Sequence, residues 1–431
     1  MNRIFITLIL MLSASLESHS QPSVGDGSQL SIGDCYEKAR ANYPLIRQYG
    51  LIERTRDYNL SNAVKALLPQ VQLSAKASYQ SEVTQIPVDF SKLGVSGVSM
   101  PELSRDQYGA TLEATQTVWD GGTVGARRKS IMAKSEAEEK ELDVTLYAVN
   151  ERINQLFFGI LLCDALLEQN RLFQDELQRN NDLVSAYMQS GIANRSDLDA
   201  VKVEQLKAKQ GAIQISHNRK ACLEMLSVFI GEKLAENVTV IRPATNMLLS
   251  TAAKRPELSL FDAGFQTLDA AKSELQAELM PRIGIFITGG YGNPGLNMLK
   301  NGFSAYYIGG IRFTWNFGSF YTLKNRMNII ESNRSALRIQ RETFLFNTSL
   351  GTTDEENEID KYRALLQSDD EIIALRNSVK SAAEIKVAAG TLNTTDLMRE
   401  VLAEQMAKQD KIVHEIELVQ AIYNLKFITN N

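Results

Sequence analysis

Histidine is nearly missing from this chain: His19, His217 and His414 are the only three in 431 residues. That scarcity argues against multi-histidine metal centres and most histidine-based catalysis. Cysteine is as rare, and Cys35, Cys163 and Cys222 are too few for a disulfide scaffold. Nine prolines leave room for long uninterrupted helices. Long apolar runs are lacking as well. After the first dozen residues the longest is Phe157–Cys163, ended by Asp164, whereas a spanning helix needs about 20 residues. The mean hydropathy of −0.19 agrees. No basic excess exists, since the formal net charge is −5, and a nucleic-acid partner is not expected. No Gly-x-Ser-x-Gly elbow, His-Glu-x-x-His, Walker loop or paired metal-ligand motif occurs. An exported enzyme, a metal site and a cofactor all lack support, and His217 and His414, in charge-rich stretches, read as solvated surface.

What is present starts with a targeting segment. Arg3 precedes the apolar stretch Ile4–Leu12, and Ser18-His19-Ser20 offers small residues for cleavage before Gln21. Residues 1–20 therefore read as a secretory signal peptide, too short to span a membrane. No cysteine lies near the cleavage point, so lipid attachment there is not expected.

The rest is duplicated. Pro44 and Pro256 lie 212 residues apart, as do Pro69 and Pro281 in Leu67-Leu68-Pro69 and Leu279-Met280-Pro281. Val118-Trp119-Asp120-Gly121-Gly122 matches Thr314-Trp315-Asn316-Phe317-Gly318 at an offset of 196. Gly191–Leu198 matches Gly390–Leu397 at an offset of 199. The order of these landmarks divides the mature chain into a first repeat over 21–230, a linker over 231–252 and a second repeat over 253–431.

Each repeat carries two strands and two long helices. Val71, Leu73, Ala75, Ala77 and Tyr79 alternate with polar residues, as do Tyr108, Ala110, Leu112 and Ala114. This period of two predicts strands near 70–80 and 107–119, and in the second repeat near 282–292 and 303–317. Pro, Gly and Ser cluster in the connection over 81–104. Proline-free stretches at 121–190 and 319–389 predict helices of about 105 Å, with a break at Gly351-Thr352-Thr353. Returning helices are expected over 196–230 and 395–427. Leu142, Leu146, Val149, Ile153, Leu156 and Ile160 form a heptad seam. Cys163 continues it, so Cys163 and Cys222 read either as a cross-link between antiparallel helices or, more simply, as two buried thiols.

Apolar-out, polar-in strands of this length have membrane-barrel patterning, yet four strands are fewer than the roughly eight of the smallest such barrels. The functional unit is therefore expected to be an oligomer. A periplasmic coiled-coil adaptor or structural protein without a pore is the rival reading; it accounts for the helices but not for two amphipathic hairpins. Tyr79, Tyr108, Trp119, Tyr291 and Trp315 lie at strand ends and suit a membrane girdle, and Trp119 and Trp315 equally suit packing at the strand-to-helix junctions.

Asn42-x-Pro44, Arg255-Pro256-Glu257-Leu258, Trp119-Asp120-Gly121-Gly122 and the two Gly-x-x-Asn-x-[Ser/Thr]-Asp-Leu turns are together similar to the TolC family of outer-membrane efflux and secretion channels. The likeness runs from about Leu30 to Phe427. It implies a mainly helical fold, with helical hairpins forming an α-barrel and four strands per chain entering a twelve-stranded β-barrel. It further implies a homotrimer in the lipid of a Gram-negative outer membrane, extending into the periplasm. Such a channel joins a periplasmic adaptor and an inner-membrane transporter, and exports drugs, metal ions or proteins. By the same resemblance, Gly191, Ser196, Asp197, Gly390 and Thr395 form the adaptor-facing tip, although tight helix-hairpin geometry, with Ser196 or Thr395 capping the next helix, is a sufficient reason for these turns. Asp396 matches the first of two pore-facing aspartates; the second falls on Arg399, and a gate-locking arginine falls on Leu392. Asp396 and Arg399 thus stand as the expected pore constriction, although an aspartate in a first helical turn is also what the helix dipole favours.

Overall fold

A computed structural model describes residues 29–84, 103–191, 193–244, 253–298 and 300–430. The expected signal peptide, most of the connection over 81–104, Ile192 and the end of the linker lie outside the described residues. The first half runs β1 (Gln29–Leu30), α1 (Ile32–Asn42), α2 (Gln48–Lys65), β2 (Gln70–Tyr79), β3 (Asp106–Trp119), α3 (Thr123–Gln189) and α4 (Arg195–Ile230). The second runs β4 (Thr239–Val240), α5 (Pro256–Glu278), β5 (Arg282–Asn293), β6 (Ser304–Thr314), α6 (Gly318–Ala388) and α7 (Thr394–Thr429). No described helix is long and apolar enough to cross a membrane.

The chain forms two compact units, and each draws on both halves of the sequence. One comprises residues 47–145 and 255–347 and contains the antiparallel sheet β2-β3-β5-β6. Helix α5 packs closely on α6 here: a Cβ on Gly264 would come within 2.9 Å of Leu337. Arg334 pairs with Asp269 at 2.6 Å, and Arg326 pairs with Glu278. The turns from strand to helix are capped alike in both halves. Asp120 accepts the backbone N–H groups of Gly122 (2.9 Å) and Val124 (2.6 Å), and Asn316 accepts that of Gly318 (3.0 Å). The Asn316 cap ends the last strand at Thr314, short of the 317 that the continuing aromatic alternation suggested.

The other unit comprises residues up to 46, 146–254 and 348–431. Its first core gathers Ile153, Phe157, Phe158 and Ile160 of α3, Leu226 and Ile230 of α4, Val419 and Ile422 of α7, and Cys35 and Ala39 of α1. Phe158 meets Phe157 and Tyr423 edge-on at 5.8 and 5.4 Å, a preferred aromatic geometry. Its second core joins Leu177, Val184, Leu198, Val201, Val387, Leu397 and Val401 of α3, α4, α6 and α7. Helix α6 is unbroken, so the expected kink at Gly351-Thr352-Thr353 is absent. Thr352 and Thr353 donate their hydroxyls to carbonyls one turn back, at 2.8 and 3.0 Å, and Gly351 lets Ile428 of α7 approach.

The same unit holds a buried charge network invisible in the sequence pattern. Lys380 of α6 contacts Glu176 of α3 at 2.7 Å and Glu404 of α7 at 2.6 Å, and Glu404 also meets Lys408 at 2.8 Å. Glu404 is only 2% exposed. Burial opposes charge on Lys380, but its two carboxylate partners outweigh that and raise its pKa above the ordinary lysine value. Burial likewise disfavours the Glu404 carboxylate, but Lys380 and Lys408 bring its pKa below the ordinary range. Its contribution is therefore present above the unfolded glutamate pKa and is lost as pH falls through the lower folded value. Removing one partner strands the others, so Glu404→Ala is expected to destabilise the protein by about 3 kcal/mol. Thermal unfolding in detergent at pH 7 measures it; an unchanged midpoint would show the network to be dispensable.

Candidate functional site: the paired tips and the two-faced sheet

Two places gather the residues singled out by the sequence. The first is the pair of helical turns. Gly191 and Gly390 adopt φ of +78° and +71°, the left-handed conformation that ends a helix cheaply only without a Cβ. The Gly390 turn is closed by Thr391 N–H donating to Lys386 O at 2.9 Å. Neither Ser196 nor Thr395 caps the following helix, contrary to expectation; both are exposed. The caps are Asn194 and Asn393, whose Oδ1 atoms accept the N–H groups of Asp197 (3.1 Å) and Asp396 (2.7 Å). An amide at N-cap reaches the third backbone N–H, which a hydroxyl already inside the first turn cannot do. Both turns line one cleft of about 310 Å³, with Tyr187, Asn194, Asp197, Gly390, Leu392 and Asn393 in its wall.

The two matched aspartates then part ways. Asp197 completes a capping box by accepting the Asn194 N–H at 2.9 Å. Asp396 instead pairs with Arg399 at 3.1 Å, so the two expected constriction residues neutralise each other on one turn of α7.

The second place is the sheet. Register puts Val71, Leu73, Ala75, Ala77 and Tyr79 of β2 on the same face as Tyr108, Ala110, Leu112 and Ala114 of β3. Ile283, Ile285, Ile287 and Tyr291 of β5 and Ala305, Tyr307, Ile311 and Phe313 of β6 continue it. The opposite face carries Gln, Ser, Thr and charged residues. A bulge between Thr117 and Trp119 shifts β3 by one residue, so Trp119 pairs with Ile283 and joins the apolar face. Aromatic rings close both ends of that face. Phe303 stacks on Tyr291 (5.5 Å) and Tyr108 (6.5 Å) at one end, and Trp315 packs on Phe317 (4.7 Å) at the other. Trp315 also donates Nε1–H to Leu279 O at 3.0 Å, which is junction packing. Tyr79 ends β2 opposite Asp106.

Two expectations need correction. His217 is exposed as anticipated, but His414 is not a solvated surface group: its Nδ1 lies 2.8 Å from the buried carboxylate of Asp369. Cys163 and Cys222 are free thiols, so the cross-link is not formed. Burial raises both thiol pKa values, and the neighbouring Cys222 raises that of Cys163 further. Among the described residues no group of three His, Cys, Asp or Glu is placed to hold a metal ion. Sequence reasoning missed the Lys380 network, since nothing in a charged helix stretch marks it as buried. It also missed the asparagine caps, although Asn194-x-x-Asp197 and Asn393-x-x-Asp396 carry the capping-box spacing.

Residues 35–232 match the family described as outer membrane efflux protein. No curated protein sequence matches. Among solved structures, the outer-membrane channel OprN superposes with a TM-score of 0.68 at 13% identity, over 92% of this chain and 89% of that one. The outer membrane protein VceC from Vibrio cholerae gives 0.67 at 12% identity, over 93% and 96%. The CmeC outer membrane channel of Campylobacter jejuni gives 0.64 at 12%, over 92% and 85%. With identities this low the superpositions speak for the fold alone, and the sequence match speaks for residues 35–232. Residues 35–232 are thus similar to outer membrane efflux proteins, and the fold of the chain is that of the TolC-like outer-membrane channels.

Proposed function

We propose that three copies of this chain close into one pore that exports solutes from the periplasm, or from an inner-membrane transporter, to the outside. One observation carries this reading: the apolar face of the sheet ends in two open edges. Among the described residues, β2 and β6 each have a single neighbour. In lipid, unpaired edge N–H and C=O groups cost several kcal/mol each, so a lipid-facing sheet must close on itself. The strands alternate in direction, so β6 of one copy meets β2 of the next antiparallel, and three copies of four strands give twelve. The rings of Tyr79, Tyr108 and Tyr291 at one end and Trp119 and Trp315 at the other act as the two membrane girdles. Tyr108 to Trp119 is roughly 35 Å of strand, or roughly 27 Å of height at a tilt of about 40°, close to the apolar band of such barrels.

The turns at Gly191 and Gly390 form the periplasmic tip, where exposed Ser196 and Thr395 meet an adaptor that links the channel to its transporter. Asp396 and Arg399 ring the constriction as three ion pairs, a mouth of mixed charge rather than a purely acidic one. The cargo class follows from the partner transporter, with drugs, metal ions and proteins as the candidates.

Fractionation and cross-linking test the pore itself: heat-modifiable trimers are expected in the outer membrane, and a soluble periplasmic monomer would defeat the reading. Asp396→Ala uncovers Arg399, so the cation-to-anion permeability ratio in planar bilayers should fall on the order of a few fold. An unchanged reversal potential would remove Asp396 from the constriction. Gly390→Ala meets no neighbour within 4 Å and strains the turn by about 1–2 kcal/mol. Trimers should survive it while efflux drops; loss of both together would restrict the glycine to folding.

A further inference from the structure

The polar face of the sheet is unbalanced in charge. Four charged side chains of the described strands share it: Lys76 of β2, Glu113 of β3, Arg282 of β5 and Arg312 of β6, three cations against one carboxylate. That carboxylate is already engaged, because Glu113 pairs with Arg312 at 3.2 Å, and the Arg312 guanidinium also lies 4.8 Å from the centre of the Phe286 ring. Arg282 reaches the Thr123 hydroxyl at 3.4 Å. Lys76 differs from Arg312, for no described carboxylate lies within ion-pair distance of it. Its register partner is Gly109, and Glu113 stands opposite Gln72, four residues back along β2. Four residues are about 13 Å of strand, beyond the roughly 8 Å over which salt at physiological strength lets exposed charges feel each other.

What does surround Lys76 is a set of hydroxyls. Ser74, Ser78, Thr111 and Tyr306 line one cavity of about 360 Å³ with it. Gln107 shares that wall, its amide held by reciprocal hydrogen bonds with Gln80 at 3.0 and 3.1 Å. Tyr306 folds over Gly290, where any larger residue would collide with its ring. An ammonium with four hydroxyl donors and no carboxylate is chemistry for an anion.

We propose that Lys76, with Ser74, Ser78, Thr111 and Tyr306, forms a binding station for small polyvalent anions, carboxylates or phosphates, inside the barrel. The station lies three residues from the end of β2 at Tyr79, on the side away from the helices, and so near the outer mouth. This inference rests on the trimeric pore, in which three such stations face one lumen. A single exposed ammonium per chain holds an anion loosely enough for it to leave again, as conduction requires.

Single-channel recording tests it, with citrate added on the barrel side of trimers in a planar bilayer. Citrate should reduce the wild-type conductance, and Lys76→Gln should raise the half-blocking concentration about tenfold while Lys76→Arg leaves it near wild type. Equal block of wild type and Lys76→Gln, or no block of wild type, would overturn the station and leave the pore intact. Trimers without any conductance would overturn the pore, and the station with it.

Discussion

Backbone hydrogen bonding at the margins of one small sheet constrains everything else in this protein. Four strands satisfy each other in the middle and leave β2 and β6 half paired. In water such edges would invite indiscriminate association, and in lipid they cannot exist at all. The apolar face leaves no aqueous option either, since Val71, Leu73, Tyr307, Ile311 and Phe313 are all exposed in the single chain. In the proposed trimer the copies complete each other's sheets. The exposed apolar residues along the first half of α6, Phe320, Ile329, Ile339 and Phe346 among them, are in the same position.

Long helices pose the opposite problem. They satisfy their own backbones but cannot wrap a single core, so the helical unit builds two apolar clusters with the Glu176–Lys380–Glu404–Lys408 network beside them. Greasy contacts alone tolerate sliding between helices, because one leucine replaces another with little loss. A buried lysine held by two carboxylates from two other helices does not tolerate it, since any slip strands a charge. The network therefore fixes register, as a buried polar residue does in a coiled coil.

Much of this was legible in the sequence, and for a definite reason. Period-two alternation is written residue by residue, so Val71 to Tyr79 and Ile283 to Tyr291 announce both strand and face without reference to anything distant. The same holds for Gly191 and Gly390, whose need for a left-handed backbone is local. What escaped depends on partners far away in the chain. Pairing of β3 with β5, which joins the two repeats, leaves no local trace, and the bulge beside Trp119 exists only relative to Ile283. Strand β6 looked longer than it is because Trp315 and Phe317 prolong the alternation after Asn316 has already turned the backbone. Glu404 and Asp369 look like the rest of a charged helix surface until Lys380 and His414 are seen against them. The match of Asp396 to Asp197 is legible in the repeat, whereas its bond to Arg399 shows only in the geometry.

The two matched asparagine caps carry an evolutionary consequence. After a duplication both copies begin with the same duties, and relief from one of them is what allows divergence. Asp197 remains bound to the start of its own helix through both arms of the box, so replacing it would damage the fold before it altered anything else. Asp396 has been released from half of that duty, because the Asn393 side chain alone holds the helix start. Drift at position 396 and its neighbour Arg399 is thus cheap in folding terms, whereas drift at position 197 is not. Across a lineage of such sequences, charge is therefore expected to vary more freely at the second turn than at the first.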